Sequence, residues 1–492
     1  MTIQLSGVAV PLLLAAAAVA VLMLDAFLPD GAKPMVLWVG VVALGVAFAG
    51  TLPALWSAAQ AFCRTTGPPA CAYDLAPYGA VLNLVMIAAA AVVLLLSVRA
   101  VGEQRIPPGE YVFLLLCSVT GAVVLTAAGE LATLVVGLET VSLPVFGLVA
   151  LRRGHGLGGE AALKFFLVSV ASTAVLLFGA SWIYAARGSL WLVDLAKDAT
   201  VRPELRPVLV VGVVLTVVGF GFKIAAVPFH AWVPDTYAGA PLPVTAYLAV
   251  VSKVAGFAGL LVLVGRGLVP YAETWAPALG VIAALTMTVG NLVALRQRDA
   301  VRLLAWSSIG QAGYVIAPFV GGGRPIAGVD PLAAPVSYLV AYSAMTMTAF
   351  AVVVAMTREH RSTLIADYRG LLWRQPLAGA SLVFALVALA GLPPGLVGLF
   401  AKVAAFRAVV DGGAGWLAIV MAVNVVIALY YYISWVIVVV QRPDEQPERP
   451  RITTLPPPIG AAILVSVTAA VLLSVLPQLI FAARDLFPVA AP

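Results

Sequence analysis

The chain has little charge. Asp, Glu, Lys and Arg supply 10% of its 492 residues while 62% are hydrophobic, against roughly 25% charge in soluble domains. That balance excludes a water-soluble globular protein. The longest polar interruptions, 58–77, 186–207, 357–377 and 441–456, are too short for a nucleotide- or flavin-binding domain, and the sequence has no Walker or HExxH motif. Three cysteines and three histidines are too few for an iron–sulfur or metal set. No cofactor is therefore expected in this chain, and its net charge of +6 requires no nucleic-acid partner. Two of the cysteines, Cys63 and Cys71, share the loop CRTTGPPAC. In an oxidising compartment a disulfide is one reading and two free thiols the other.

What the sequence does have is apolar runs of the length that crosses a bilayer, about 20 residues. Fourteen such spans run from 6–24 to 457–481, so the expected fold is an all-α polytopic membrane protein. No Lys or Arg precedes the first span and its apolar stretch exceeds that of a cleavable leader, so it is expected to remain in the mature chain. With an external N-terminus, inner loops carry fifteen Lys and Arg and outer loops nine. The excess places both termini outside the membrane.

Two spans look interrupted. Residues 208–232 contain Gly219, Gly221 and Pro228, and residues 378–409 contain GLPPG. A mid-helix proline frees a carbonyl that lipid cannot satisfy, so such breaks belong where they line protein or water. Their spacing of five spans suggests two inverted five-helix repeats, spans 4–8 and 9–13, each with one broken helix. The chain then divides into helices 1–3 (1–110), a first repeat (111–265), a second repeat (266–440) and a C-terminal loop with helix 14 (441–492).

Six of the 28 basic residues are lysines, and four of these, Lys164, Lys223, Lys253 and Lys402, fall within apolar spans, whereas the arginines keep to loops and span ends. A charge at mid-depth costs at least about 2.5–3.5 kcal/mol. Arginine stays protonated everywhere, but a desolvated lysine can give up its proton. Buried lysines therefore point to proton exchange, with snorkelling to the headgroups as the alternative for Lys164 above all. Glu139 is the one carboxylate well inside a span, and Lys223 is its candidate partner, a pair whose opening would switch proton release. His230 lies two helical turns beyond Lys223, on the same face if the helix continues, as a relay or as a structural histidine. Asp235 reads as a turn or cap residue.

EAALKFFLVSVASTAVLLFG, GFKIAAVPFHAWVPDTYAGAPLPVTAYLAVVSKVAGF, LLAWSSIGQAGY and GLPPGLVGLFAK together resemble the antiporter-like membrane subunits of bacterial NADH-quinone oxidoreductase, respiratory complex I, and among them the N type. The resemblance implies a proton-translocating subunit of a bacterial plasma membrane, working with the other membrane subunits of the complex. NADH, FMN, iron–sulfur clusters and quinone would then be held by other subunits. It also implies Glu139 as modulating acid, Lys223 as central carrier, Lys253 as connecting lysine and Lys402 as terminal lysine. Some positions depart from the pattern. Gln311 stands where relatives commonly have histidine, Leu242 where threonine is usual, and the spacing from GLPPG to Lys402 is one residue longer, a turn of about 100°. A cation/proton antiporter-type protein, or a membrane subunit of a related hydrogenase or dehydrogenase, is the alternative.

Overall fold

The computed structural model describes residues 4–104, 106–151, 156–197, 202–322, 333–360, 362–442 and 455–481. Helices α1 (Leu5–Phe27) and α2 (Met35–Leu55) lead into a hairpin of β1 (Ala59–Cys63) and β2 (Cys71–Leu75). Then come α3 (Pro77–Glu103), α4 (Pro108–Leu125), α5 (Leu131–Ala150), α6 (Gly156–Arg187) and α7 (Pro203–Lys223). A short α8 (Trp232–Gly239) precedes α9 (Leu242–Gly267), α10 (Val269–Ala294), α11 (Ala300–Gly321) and α12 (Ala333–His360). The chain continues through α13 (Pro376–Ala390), α14 (Leu396–Asp411), α15 (Gly415–Val440) and α16 (Pro457–Val475). Proline in the first turn of α3, α4, α7, α13 and α16 starts each without losing a hydrogen bond, because the first N–H groups of a helix have no internal partner.

Among the described residues, thirteen helices are long and apolar enough to cross a membrane. The remaining expected span, 378–409, is the broken pair α13–α14, whose first half is an apolar helix shorter than those thirteen. Three helices form the centre: 94% of the apolar stretch of α9 and 89% of those of α11 and α12 are buried, against 22% for α6 and 28% for α1. On these central three lie Lys253, Gln311 and Tyr338, all buried polar side chains.

Both interruptions are real, and the first lies earlier than expected. The span 208–232 ends as a helix at Lys223, where Ala225 takes φ of 59° and turns the chain. Backbone groups freed there are met from outside, Val227 N–H donating to Thr286 Oγ1 of α10 at 3.0 Å. The span 378–409 parts at Gly391, whose φ of 87° is the left-handed conformation that ends a helix and that a side chain would resist. Its N–H and that of Leu392 fold back to Val387 O, both at 3.0 Å.

The hairpin pairs Ala59 with Leu75 and Cys63 with Cys71, and the two cysteines are joined as a disulfide, while Cys117 is free. Beside it, Arg64 donates from both terminal nitrogens to Asp194, at 2.8 and 3.0 Å, tying the hairpin to the loop before α7. Those hydrogen bonds hold the Asp194 carboxyl down at about 2. A carboxyl depressed in the folded state stabilises above its unfolded value, about 3.9, and loses that contribution as pH falls toward the folded value. Asp194→Asn is accordingly expected to melt earlier than the parent at pH 7. The difference should shrink between about pH 4 and pH 2, followed by thermal scanning of the purified protein; a gap that stays constant with pH would contradict the pairing.

Candidate functional site

Lys223 closes α7 and is 5% exposed, at the point where the helix stops and α5, α6 and α9 converge. α9 can pass because Gly256 faces it: a Cβ there would lie 3.0 Å from the backbone oxygen of Lys223. The ammonium donates to Ser142 Oγ of α5 and to Ser169 Oγ of α6, the latter at 3.4 Å. Two rings, Phe222 and Phe165, stand with centroids 5.4 and 6.0 Å away, near enough to help solvate a cation.

Glu139 does not close on Lys223. It accepts from Thr173 Oγ1 of α6 at 2.6 Å and is partly exposed on the flank of the bundle. Ser142 lies one turn beyond Glu139, and Thr173 one turn beyond Ser169. Two hydroxyl-bearing helix faces therefore stand between acid and ammonium, in place of the direct pair that the sequence suggested.

Lys253 sits on α9 at 2% exposure and donates to both the backbone oxygen and Oγ of Ser308, each at 2.8 Å. Just before it, Leu248–Ser252 forms a π-helical turn, the kind of bulge that widens a helix at functional sites. Tyr342 of α12 serves that turn by donating to Ala249 O at 2.9 Å. Lys402, on α14 and 4% exposed, reaches back across the GLPPG break to the carbonyls of Leu389 and Ala390, at 2.9 and 2.7 Å. These are the last two carbonyls of α13, without intrahelical donors at a negative dipole end, where a cation is favoured. The extra residue between GLPPG and Lys402 does not turn the side chain away.

Between Ser308 and Leu389 lies a cluster built on Gln311, itself 2% exposed. Its Nε2 donates to Tyr432 Oη at 3.1 Å and Leu389 O at 3.3 Å, while its Oε1 accepts from Tyr338 at 2.5 Å. Tyr432 of α15 is in turn hydrogen-bonded to Ser307. Among the described residues, no carboxylate pairs with Lys223, Lys253 or Lys402: each ammonium rests on hydroxyls or carbonyls.

Three expected residues lie elsewhere. Lys164 is exposed near the start of α6 and forms ion pairs with Glu160 at 2.8 Å and Asp235 at 2.9 Å. It belongs to a surface cluster, not to the buried line. Asp235 is more than a turn residue, because its carboxylate in the first turn of α8 also takes Arg302 at 3.8 Å. His230 shares no helix face with Lys223, since α7 has already ended; its ring meets Trp306 edge-on at 5.4 Å. The sequence reading missed Ser142, Ser169, Thr173, Ser307, Ser308, Tyr338 and Tyr432. Their one signal was a hydroxyl inside an otherwise apolar run, as in LETVSLP or LYYYISW.

A bundle of membrane-crossing helices, two of them broken, enclosing three lysines held by neutral acceptors, defines a multi-pass membrane protein of the antiporter-like class. The chain belongs to the family described as NADH:quinone oxidoreductase/Mrp antiporter, transmembrane, whose model matches residues 128–428. It is 46% identical over 501 residues to the NADH-quinone oxidoreductase subunit N 2 of Streptomyces griseus subsp. griseus, covering 98% of this chain and 93% of that one. Among solved structures it is similar to a chain of respiratory complex I from Thermus thermophilus, at 32% identity and a TM-score of 0.78, covering 96% of this chain and 98% of that one. A chain of the Mrp complex from Dietzia sp. DQ12-45-1b shares the fold, with a TM-score of 0.81 at 20% identity, over 98% of this chain and 96% of that one.

Proposed function

We propose that the chain is the N-type, proton-translocating membrane subunit of an NADH-quinone oxidoreductase in a bacterial plasma membrane, working against the other membrane subunits of that complex. The observation that carries this reading is the line of three buried ammonium groups, Lys223, Lys253 and Lys402, each resting on neutral oxygens. A permanent carboxylate partner would hold each proton in place; hydroxyls and carbonyls let it leave and return. Glu139 acts on the first of them through the intervening hydroxyls, favouring the charged amine when it is ionised. NADH, flavin, iron–sulfur and quinone chemistry belongs to other subunits, and this chain supplies the translocase step.

The two repeats, residues 111–265 and 266–440, carry one break each, flanked by helices 1–3 (1–110) and the C-terminal segment (441–492). Both termini face the outside, with the basic loops toward the cytoplasm. Purification tests the assignment. The chain is expected to co-isolate from solubilised membranes with subunits bearing flavin and iron–sulfur absorbance, and the isolated assembly to pump protons on NADH oxidation. A chain that isolates without them and exchanges sodium for protons in vesicles would place it with the cation/proton antiporters.

A further inference from the structure

We infer that Asp235 is a positioning residue: by latching α8 between α6 and α11 at the surface, it sets the packing of the aromatic rings that stand over Lys223. The inference rests on the proposed role of Lys223 in proton transfer. In the run from Trp232 to Tyr237, Asp235 is the one side chain that is not buried. Its carboxylate takes Lys164 of α6 at 2.9 Å and Arg302 of α11 at 3.8 Å, and Lys164 takes Glu160 as well at 2.8 Å. All four side chains are about half exposed, and an exposed pair alone contributes little stability. What the group supplies is a position, because one carboxylate is gripped from both flanks.

Beneath the charges the same two helices meet this segment again, through rings. Phe165, the residue after Lys164, packs against Trp232 with centroids 4.6 Å apart, and Trp306, one turn beyond Arg302, meets His230 at 5.4 Å. Trp232 also packs against Phe222 at 5.0 Å, and Phe165 stacks on Phe222 at 5.7 Å, so three rings close a triangle. Two of its corners, Phe165 and Phe222, are the rings whose centroids lie 6.0 and 5.4 Å from the Lys223 ammonium. The third corner is Trp232, one turn before Asp235 on α8.

Left to itself, α8 does not fix its own place. It has eight residues, fewer than the roughly 12 at which an isolated helix becomes even marginal. The chain also bends on both sides of it, at Ala225 with φ of 59° and at Ala240, whose backbone is extended before Pro241. A segment hinged at both ends keeps the register that its contacts impose. With Asp235 held, Trp232 is pressed into the triangle and the rings stand together beside the ammonium, helping to solvate it and keeping water away. With Asp235 released, Trp232 withdraws and Phe165 and Phe222 lose their common neighbour. The amine is then held in a looser and wetter setting. Asp235 thus acts on Lys223 from the surface, by packing, and exchanges no proton with it.

The test uses the assembled, reconstituted complex. Asp235→Asn keeps the shape and removes the charge, and is expected to lower the proton-pumping rate about threefold or more, since small misplacements around a reacting group are costly. NADH oxidation with an artificial acceptor, which bypasses the membrane subunits, should be unchanged. Asp235→Glu retains the carboxylate and should keep more than half of the parental rate. Lys164→Arg retains the cation but cannot release a proton. Pumping near the parental rate there supports a tether, whereas a loss as deep as that of Asp235→Asn would show a relay at Lys164 and overturn the inference. Trp232→Leu removes the ring that carries the effect inward, so combining it with Asp235→Asn should pump no worse than the poorer single variant. Parental pumping in Asp235→Asn, an Asp235→Glu variant no better than Asp235→Asn, or losses that simply add would equally overturn it. Should Trp232→Leu fail to assemble, Lys164→Met combined with Arg302→Met, which takes both cations from Asp235, must reproduce the loss. Lys223→Ala separates the two readings: parental pumping there sinks the proposed role of that lysine, whereas lost pumping there beside parental Asp235→Asn sinks only the latch.

Discussion

Lys223→Ala lowers the proton-pumping rate of the reconstituted complex by a factor of about 100, with quinone reduction falling alongside it and the chain still present in the assembly. The magnitude is the low end of what a positioned proton-transfer group contributes. Assembly is expected to survive because the side chain makes no ion pair whose partner would be stranded, only hydrogen bonds to Ser142 and Ser169. Ser142 keeps another use, since it already donates to Leu138 O within its own helix. The alanine leaves a small cavity under Phe222 and Phe165, a cost of a few kcal/mol at most, spread over a well-packed bundle. Pumping measured by a pH-sensitive dye in vesicles, against subunit content on a native gel, decides the matter. A variant that assembles and pumps at the parental rate removes Lys223 from the mechanism.

Gly398→Ala is expected to do the opposite, removing the chain from the assembled complex before any transport can be measured. The two half-helices α13 and α14 meet where Ala388 passes Gly395 and Gly398. A Cβ on Gly398 would lie 1.7 Å from Ala388 O, and one on Gly395 would lie 2.4 Å from Ala388 Cα. Backbone cannot yield as a flexible side chain does, so the half-helices must part, taking the Leu389 and Ala390 carbonyls away from Lys402. Overpacking in a core commonly costs about 1–3 kcal/mol, and here the loss of both hydrogen bonds adds to it. Gly45→Ala is the control, because nothing lies within 4 Å of a Cβ there. Normal amounts of Gly398→Ala in the complex, with parental pumping, would show that the break tolerates a wider spacing.

Much of this molecule could be read from its sequence, for a reason particular to membranes. Lipid demands about 20 apolar residues per crossing and taxes every charge, so the spans and the buried Lys223, Lys253 and Lys402 stand out against their surroundings. The same solvent hides what lies around a helix. In water a polar stripe marks the outer face; here both faces are apolar, and nothing in GGEAALKFF distinguishes an exposed Lys164 from a buried one. Glu139 misled for the same reason, its position along α5 being legible but not its direction. The end of α7 was hidden because Ala225, without the freedom of glycine, takes the left-handed turn under the pressure of its neighbours. The hydroxyls that receive the ammonium groups were masked by habit: serine in a membrane helix usually bonds its own backbone one turn back, and only the fold shows which of them also face a lysine.

The wide turn at Leu248–Ser252 carries a further consequence. A five-residue loop of helix closed by longer hydrogen bonds stores one surplus residue, and it uncouples the facing of the N-terminal half of α9 from that of the C-terminal half. Tyr247, which donates to Ser118 at 2.7 Å, and Lys253, which seeks Ser308, can therefore each be aimed independently along one continuous rod. An unbroken helix of the same sequence would have to choose between those two partners, since straightening the bulge swings everything beyond it by about 100°.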